Sequence, residues 1–208
     1  MESIDDYLEL NDFDVRSEDF MGSQIYYIDN FYRHPDQLIS YLHKQKCPLH
    51  KSDQIPSYNG VFFEDRRHKF KSQKIIEVSQ KLADICGHKI VYDVVYTNFT
   101  KFKRCSFNNF SDNYWWPHRD HGYTGIVYFD SSSTNLYEEM HRDDPKGVAE
   151  HFAPWRPKDR FRLLKTLESK YNRLVLFDGK KFFHGMNISD HTYFSDRYRT
   201  NQAIFLRG

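Results

Sequence analysis

The chain has 208 residues, with 30 basic and 29 acidic side chains, a formal net charge of +1, three cysteines and an aromatic content of 17%. So even a balance supplies no global field to recruit nucleic acid or an anionic membrane. Cys47, Cys86 and Cys105 are odd in number, scattered and form no Cys-x-x-Cys pair, which fits reduced thiols and argues against a disulfide framework or a thiolate zinc site.

Taken in chain order, residues 1–22 are acidic and loosely patterned, a mobile arm or a first edge element. Their acidic start is unlike a secretory signal and no apolar run reaches membrane-spanning length, so a soluble, cytoplasmic protein is expected. A strand is predicted over 24–28. Pro35 suits the first turn of a helix over 35–46, with Leu38, Ile39 and Leu42 on one face and Pro48 beyond its end. Residues 53–65 contain Pro56, Asn59 and Gly60 and read as a loop with a short strand at 61–63. Over 72–86 the apolar spacing is helical and closes at Gly87.

From Lys89 onward the alternation is that of strands, at 90–99, 102–107, 125–129, 173–177, 181–184 and 200–206. Between 131 and 170 a polar stretch with Pro145, Pro154 and Pro157 reads as a long insert or lid, with a short helix over 157–169. No repeat or linker divides the chain, so a single domain over 1–208 is expected. Helices first and strands after them suit an α+β, mostly β fold. The architecture expected is a two-sheet barrel of jelly-roll type, a cupin-like double-stranded β-helix, with the N-terminal helices buttressing one sheet. The many Tyr and Phe residues fit the pleated core of such a fold.

Chemistry concentrates at Trp115-Trp116-Pro117-His118-Arg119-Asp120-His121-Gly122. In an extended chain residues i and i+2 share a face, so His118 and Asp120 can offer an imidazole and a carboxylate to one ion. A third ligand is found at His184, which closes a later strand. Two imidazoles and one carboxylate on one face of an octahedron leave three positions open, the arrangement that favours non-haem Fe(II) oxygen chemistry. Against this stands chance, since a His-x-Asp pair is common in a chain with 11 histidines. His121 has no place in the pattern and reads as a surface residue or one that supports a ligand, rather than as a fourth ligand. Trp115 and Trp116 either line a substrate mouth or pack on a helix, and Asn172 and Asp178 read as turn residues.

These residues, with 125–130, 171–179 running into Phe183-His184, 199–205 and the N-terminal 28–32, resemble the Fe(II)- and 2-oxoglutarate-dependent dioxygenase superfamily. The resemblance is to its prolyl-4-hydroxylase-like side, and within that to a small group of 2-oxoglutarate oxygenase-like proteins. It implies that His118, Asp120 and His184 hold iron and that Arg199 pairs with the distal carboxylate of 2-oxoglutarate through its planar fork. It also implies that Tyr128 hydrogen-bonds the same carboxylate, although Tyr128 reads equally well as core. O2 and 2-oxoglutarate would be consumed, with release of succinate and CO2, as a primary substrate is hydroxylated or demethylated. Arg197 has the same strand parity as Arg199 and competes with it; Arg199 is preferred because it opens the apolar strand.

Two rivals use the same letters differently. His-Arg-Asp also opens the catalytic loop of protein kinases, but Gly125 stands where an asparagine is required and no Gly-rich phosphate loop precedes it. Basic residues gather at Arg66, Arg67, Lys69, Lys71 and Lys74, and again at Lys101, Lys103 and Arg104 beside Phe99 and Phe102. Such patches track phosphates and stack bases, so a non-catalytic or nucleic-acid-binding protein on the same barrel is the alternative reading. Charge runs are more often solvated faces. Neither the primary substrate nor the oligomeric state is written in the sequence.

Overall fold

The computed structural model describes residues 3–45, 64–90, 97–103, 112–130, 132–140, 155–188 and 199–207, and at 64–68, 97–103, 155 and 199 the backbone alone. The described residues are mostly strand. β1 (Arg16–Asp19) and β2 (Gln24–Ile28) precede α1 (Pro35–Lys44); β3 (Glu64–Phe70) precedes α2 (Gln73–Cys86). There follow β4 (Thr97–Lys103), β5 (Asn113–Trp115), β6 (Gly122–Tyr128), β7 (Thr134–Glu139), β8 (Trp155–Pro157), β9 (Phe161–Leu167), β10 (Arg173–Asp178), β11 (Phe183–Met186) and β12 (Arg199–Arg207).

Both helices form for reasons visible in their ends and faces. α1 begins at Pro35, where a missing N–H is harmless, and buries Leu38 and Leu42 completely. The Ser72 hydroxyl accepts the Ile75 N–H at 3.2 Å to cap α2. Gly87 ends that helix in the left-handed region (φ 63°), where the His88 N–H reaches the Ala83 carbonyl at 2.9 Å.

The strands make a seven-stranded sheet in the order β1-β2-β10-β6-β12-β4-β3, a three-stranded sheet β11-β7-β9 and a two-stranded ribbon β5-β8, with antiparallel pairing throughout. Alternation sorts the large sheet into two cores. Val127, Leu174, Leu176, Ile204 and Leu206 face Leu38, Leu42, Ile75 and Leu82 of the helices. Ile126, Tyr128, Val175 and Phe177 face Leu136 of β7 and Leu167 of β9. The expectation of a mostly β chain with N-terminal helices packed on one sheet therefore holds. Arg173, at the start of β10, follows Asn172, whose backbone is left-handed (φ 56°). The Asn172 amide exchanges two hydrogen bonds with the backbone of Tyr32, at 3.0 and 2.7 Å, and ties the N-terminal segment to the sheet.

Several predicted elements differ. The helix expected over 157–169 is a short 3-10 turn, Lys158–Arg160, followed by strand β9. Its spacing of Phe161, Leu164 and Leu167 looks helical, but pairing along β7 outweighs so weak a periodicity. The described part of 131–170 thus contributes three strands; 141–154 lie outside the described residues. The strand expected at 181–184 begins at Phe183, because the Asp178 carboxylate accepts the N–H groups of Lys180 and Lys181 and turns the chain there. β3 was not anticipated, since its Glu-Asp-Arg-Arg-His-Lys run lacks an apolar face. Within 90–107 one strand, β4, spans both predictions, while 91–96 and 104–111 lie outside the described residues, as do Pro48 and the strand expected at 61–63. Trp115 and Trp116 are buried, on and just after β5.

Candidate metal centre

His118 stands four residues before β6, and His184 is the second residue of β11. The two backbones form an isolated antiparallel bridge, with the His118 N–H on the His184 carbonyl at 3.0 Å and the His184 N–H on the His118 carbonyl at 2.8 Å. This bridge sets the His-x-Asp segment beside β11, and the imidazole rings lie 4.4 Å apart, centroid to centroid. Asp120 is held separately. Its N–H donates to the Gly179 carbonyl at 2.9 Å, and the Gly179 N–H to the Gly122 carbonyl at 2.9 Å, which fixes it against the end of β10. One ligand atom from each of His118, Asp120 and His184 falls within 4.8 Å of the others.

Two glycines make this approach possible. A Cβ on Gly185 would stand 2.3 Å from the Trp115 carbonyl oxygen, and one on Gly179 would stand 2.5 Å from the Thr124 hydroxyl and 2.9 Å from the Asp120 Cβ. Neither contact is tolerable. Trp116 turns the chain between β5 and His118 with a left-handed backbone (φ 51°), a conformation costing about 1–3 kcal/mol for a residue with a side chain. What it achieves is specific: the Trp116 carbonyl is aimed at His118 Nδ1, 2.8 Å away.

The hydrogen bonds to carbonyls indicate which ring nitrogens carry hydrogen. A carbonyl only accepts, so Nδ1 of His118 carries hydrogen toward Trp116, and Nδ1 of His184 carries hydrogen toward the Phe182 carbonyl at 3.2 Å. Nε2 is then the candidate ligand atom of each ring. His184 Nε2 lies 3.1 Å from Asp120 Oδ2. A nitrogen lone pair and a carboxylate oxygen so close need a cation between them, either the proton of an imidazolium or a metal ion. Adjacent ligands of an octahedral ion with bonds of about 2.1 Å stand about 3 Å apart, so the spacing suits a metal. The donor set of two imidazoles and a carboxylate fits a divalent first-row ion.

Burial alone would raise the Asp120 carboxyl. The hydrogen bond from His184, the charge of both imidazoles and the Thr124 hydroxyl outweigh it, and the group is held well below the ordinary carboxylate range. The His184 side chain is 4% exposed and that of Asp120 16%. Phe177 meets the His184 ring edge-on at 5.0 Å, and on the opposite side of the segment the Arg119 guanidinium covers Phe183 at 4.3 Å.

The structure thus brings His118, Asp120 and His184 together. Tyr128 is fully buried and donates to the Thr134 hydroxyl at 2.8 Å. Arg199 opens β12 opposite Phe102 of β4, and Arg197 lies outside the described residues. His121 is exposed, as expected of a residue outside the motif. Missed in the sequence were Thr124, Gly179, Gly185 and the Trp116 carbonyl. Of these only the glycines left a signal, one after an aspartate at a strand end and one beside the histidine. No protein-family model and no curated protein matches the chain.

Proposed function

We propose that the chain is an Fe(II)- and 2-oxoglutarate-dependent dioxygenase that hydroxylates or demethylates its substrate. The observation that carries the reading is the convergence of His118, Asp120 and His184, with both Nδ1 atoms committed to carbonyls and His184 Nε2 turned to Asp120 Oδ2. Three protein ligands on one side leave the other side to co-substrate and oxygen. When bound, iron and 2-oxoglutarate supply the oxidising power, with succinate and CO2 as by-products.

The fold supports the same reading. With the His118 segment added beside β11, the small sheet becomes a four-stranded layer, and its β7 and β9 pack against β2, β10 and β6 of the large one. Two such antiparallel layers are the strand inventory of a jelly roll, and we infer a double-stranded β-helix. Co-substrate would be held at its deep end. Thr134, which takes the Tyr128 hydrogen bond, pairs with Met186, two residues past His184. Two residues of strand span about 7 Å, comparable with the length of a five-carbon dicarboxylate. Asn201 pairs with Tyr128, so Arg199 stands two residues beyond it at the start of β12. In this reading His118, Asp120 and His184 hold iron, while Arg199 and Tyr128 bind and orient the far carboxylate. Phe177 helps to exclude water from the centre.

Anaerobic titration of the protein with Fe(II) and 2-oxoglutarate, followed by visible absorption, tests the assignment. Wild type develops the charge-transfer band of the chelate, His184→Ala does not, and Arg199→Ala requires much more 2-oxoglutarate while Arg197→Ala does not. A band of wild-type strength in His184→Ala overturns the metal site; unchanged 2-oxoglutarate affinity in Arg199→Ala overturns the role of that arginine.

The alternative has one observation of its own. β3 and β4 pair so that Arg66 stands opposite Lys101 and Arg67 opposite Thr100, which brings the two basic runs onto one sheet edge among the described residues. Salt-dependent binding of a labelled single-stranded oligonucleotide, without any iron chelate, would favour that reading.

A further inference from the structure

β12 carries an arginine at each end. Arg199 opens the strand on the side proposed for co-substrate, and Arg207 closes this nine-residue strand about 27 Å away. Ile204 and Leu206 point into the helix-side core, so alternation puts Ala203, Phe205 and Arg207 on the face that carries Thr124, whose hydroxyl donates to Asp120. On the helix side this stretch is sealed, with Ile204 1% and Leu206 0% exposed, whereas Ala203, Phe205 and Arg207 are each partly open to solvent. An accessible wall therefore runs from Phe205, opposite Thr124, to Arg207.

Arg207 is the charged group of that wall. Its Nε is buried without a hydrogen-bond partner, no carboxylate among the described residues pairs with it, and Gly122, opposite it in the ladder, has no side chain to offer. A second cation belongs to the same end of the molecule: exposed Lys180 follows Gly179, whose N–H donates to the Gly122 carbonyl at 2.9 Å. The acid of that turn is already engaged, since the Asp178 carboxylate accepts the N–H groups of Lys180 and Lys181. A guanidinium keeps its charge at any working pH, and sheltering one from water without a counter-charge is unfavourable, so the position favours an anion.

We propose that the primary substrate is anionic and sets a phosphate or carboxylate group on Arg207, with Lys180 adding to the attraction and Phe205 packing against an apolar part. The inference rests on the proposed dioxygenase reading and names a substrate class for that same site. Arg207 lies two residues, about 7 Å, beyond the pairing of Phe205 with Thr124, so the substrate presents its reacting carbon several bonds from its anionic group. Co-substrate takes no part in this contact, because its own arginine stands at the other end of the strand.

The test uses phenyl phosphate in one arm and benzoate in the other, titrated by calorimetry at constant ionic strength into metal-free protein and into protein loaded with Mn(II) and 2-oxoglutarate. Saturable binding is expected, weakened about 10-fold or more in Arg207→Gln and by less in Arg207→Lys, which keeps the charge but not the fork. The tighter of the two probes names the anion. Lys180→Gln, on the surface, should weaken binding mildly and only at low salt. Thermal melting verifies that each variant is folded, and nuclear relaxation of the bound probe by Mn(II) places it beside the centre. Equal binding by wild type and a folded Arg207→Gln, or a bound probe that Mn(II) does not relax, overturns the proposal and leaves the metal site standing. Loss of 2-oxoglutarate affinity in Arg207→Gln overturns it as well, by assigning that arginine to co-substrate. Arg207-dependent probe binding by a protein that takes up neither Mn(II) nor Fe(II) overturns instead the dioxygenase reading, and with it the anion's role as substrate.

Discussion

At one end of β10, Arg173 donates to Asp29 through Nε at 2.5 Å and Nη2 at 3.1 Å, and Lys170 joins the same carboxylate at 3.1 Å. At the other end, Gly179 sets Asp120 against His184 Nε2 at 3.1 Å. Both carboxyls are depressed. Asp29 is lowered to about 2, chiefly by the hydrogen bond from Arg173, while Asp120 overcomes a larger burial penalty with two imidazoles and a hydroxyl. The difference lies in the partners. Guanidinium and ammonium groups carry their charge permanently, so the Asp29 cluster is complete as it stands and holds the N-terminal segment to the sheet. With its Nδ1 spent on a carbonyl, His184 can meet Asp120 through Nε2 only with a cation between them, a proton or a metal ion, so that cluster depends on a charge that can come and go. The same depressed carboxyl therefore marks a structural clamp in one place and, on the proposed reading, a metal ligand in the other.

The sharpest way to break this contrast is to add metal. With free ion at about 100 times the dissociation constant, binding to the folded state alone adds about 2.7 kcal/mol. Melting of wild type with and without Mn(II) or Co(II) should show this stabilisation, and His184→Ala should lose it entirely. Asp29→Asn should keep all of it. A metal-induced shift that survives His184→Ala would mean the ion sits elsewhere.

Next in size is the close approach of β11 to the His-x-Asp segment. Gly185→Ala inserts a methyl group 2.3 Å from the Trp115 carbonyl, and backbone must move to admit it. Such overpacking costs about 1–3 kcal/mol, and here it separates His184 from its two co-ligands. Loss of metal affinity out of proportion to the loss of stability in urea denaturation is the expected signature. Equal loss of both would make Gly185 a packing residue and nothing more.

Asp29 supplies the counterpart at the far end. Its folded value of about 2 lies below the ordinary 3.8, so the clamp's contribution is fully present above about pH 4 and is lost as pH falls toward 2. The Asp29 side chain is 39% exposed, and solvent screening limits the contribution to about 1 kcal/mol. Urea denaturation at pH 7 should show Asp29→Asn weaker by that amount, with the gap closing near pH 2. A gap that persists at pH 2 would mean the variant loses something other than charge.

How much of this was legible differs along the chain. His118 and Asp120 were readable as a pair because strand alternation makes i and i+2 neighbours, and α2 was readable because its cap, apolar face and closing glycine agree. His184 was readable as a candidate because it closes a later apolar strand, and the likeness of its surroundings to a known pattern joined it to residues so far away. Thr124 was invisible for a related reason: its bond to Asp120 spans four residues across the bend at His121, a path no periodicity reports. β9 was misread because its pattern is weak and its partner β7 lies across a proline-bearing stretch. The sequence carried the chemistry of single strands well and their pairing poorly.

The smallest effect is the one that tests whether the two ends are independent. Around Tyr27 and Arg173 a cavity of about 360 Å³ opens between β1 and β9, bridged by Lys165 on Glu18 at 3.1 Å. Both side chains are partly exposed, at 28% and 39%, and the Glu18 carboxylate also accepts the Tyr27 hydroxyl at 2.5 Å, so it keeps a partner if the lysine goes. Lys165→Met should therefore cost only about 0.2–1 kcal/mol, and less as salt is raised through a Debye length of about 8 Å toward 3 Å. Its metal affinity should equal that of wild type, because the apolar core of Ile25, Val175 and Leu167 separates this bridge from the imidazoles. Should Lys165→Met weaken Mn(II) binding, the spacing of the two sheets would be set at the far end and felt at the ligands, and clamp and centre would have to be treated as one device.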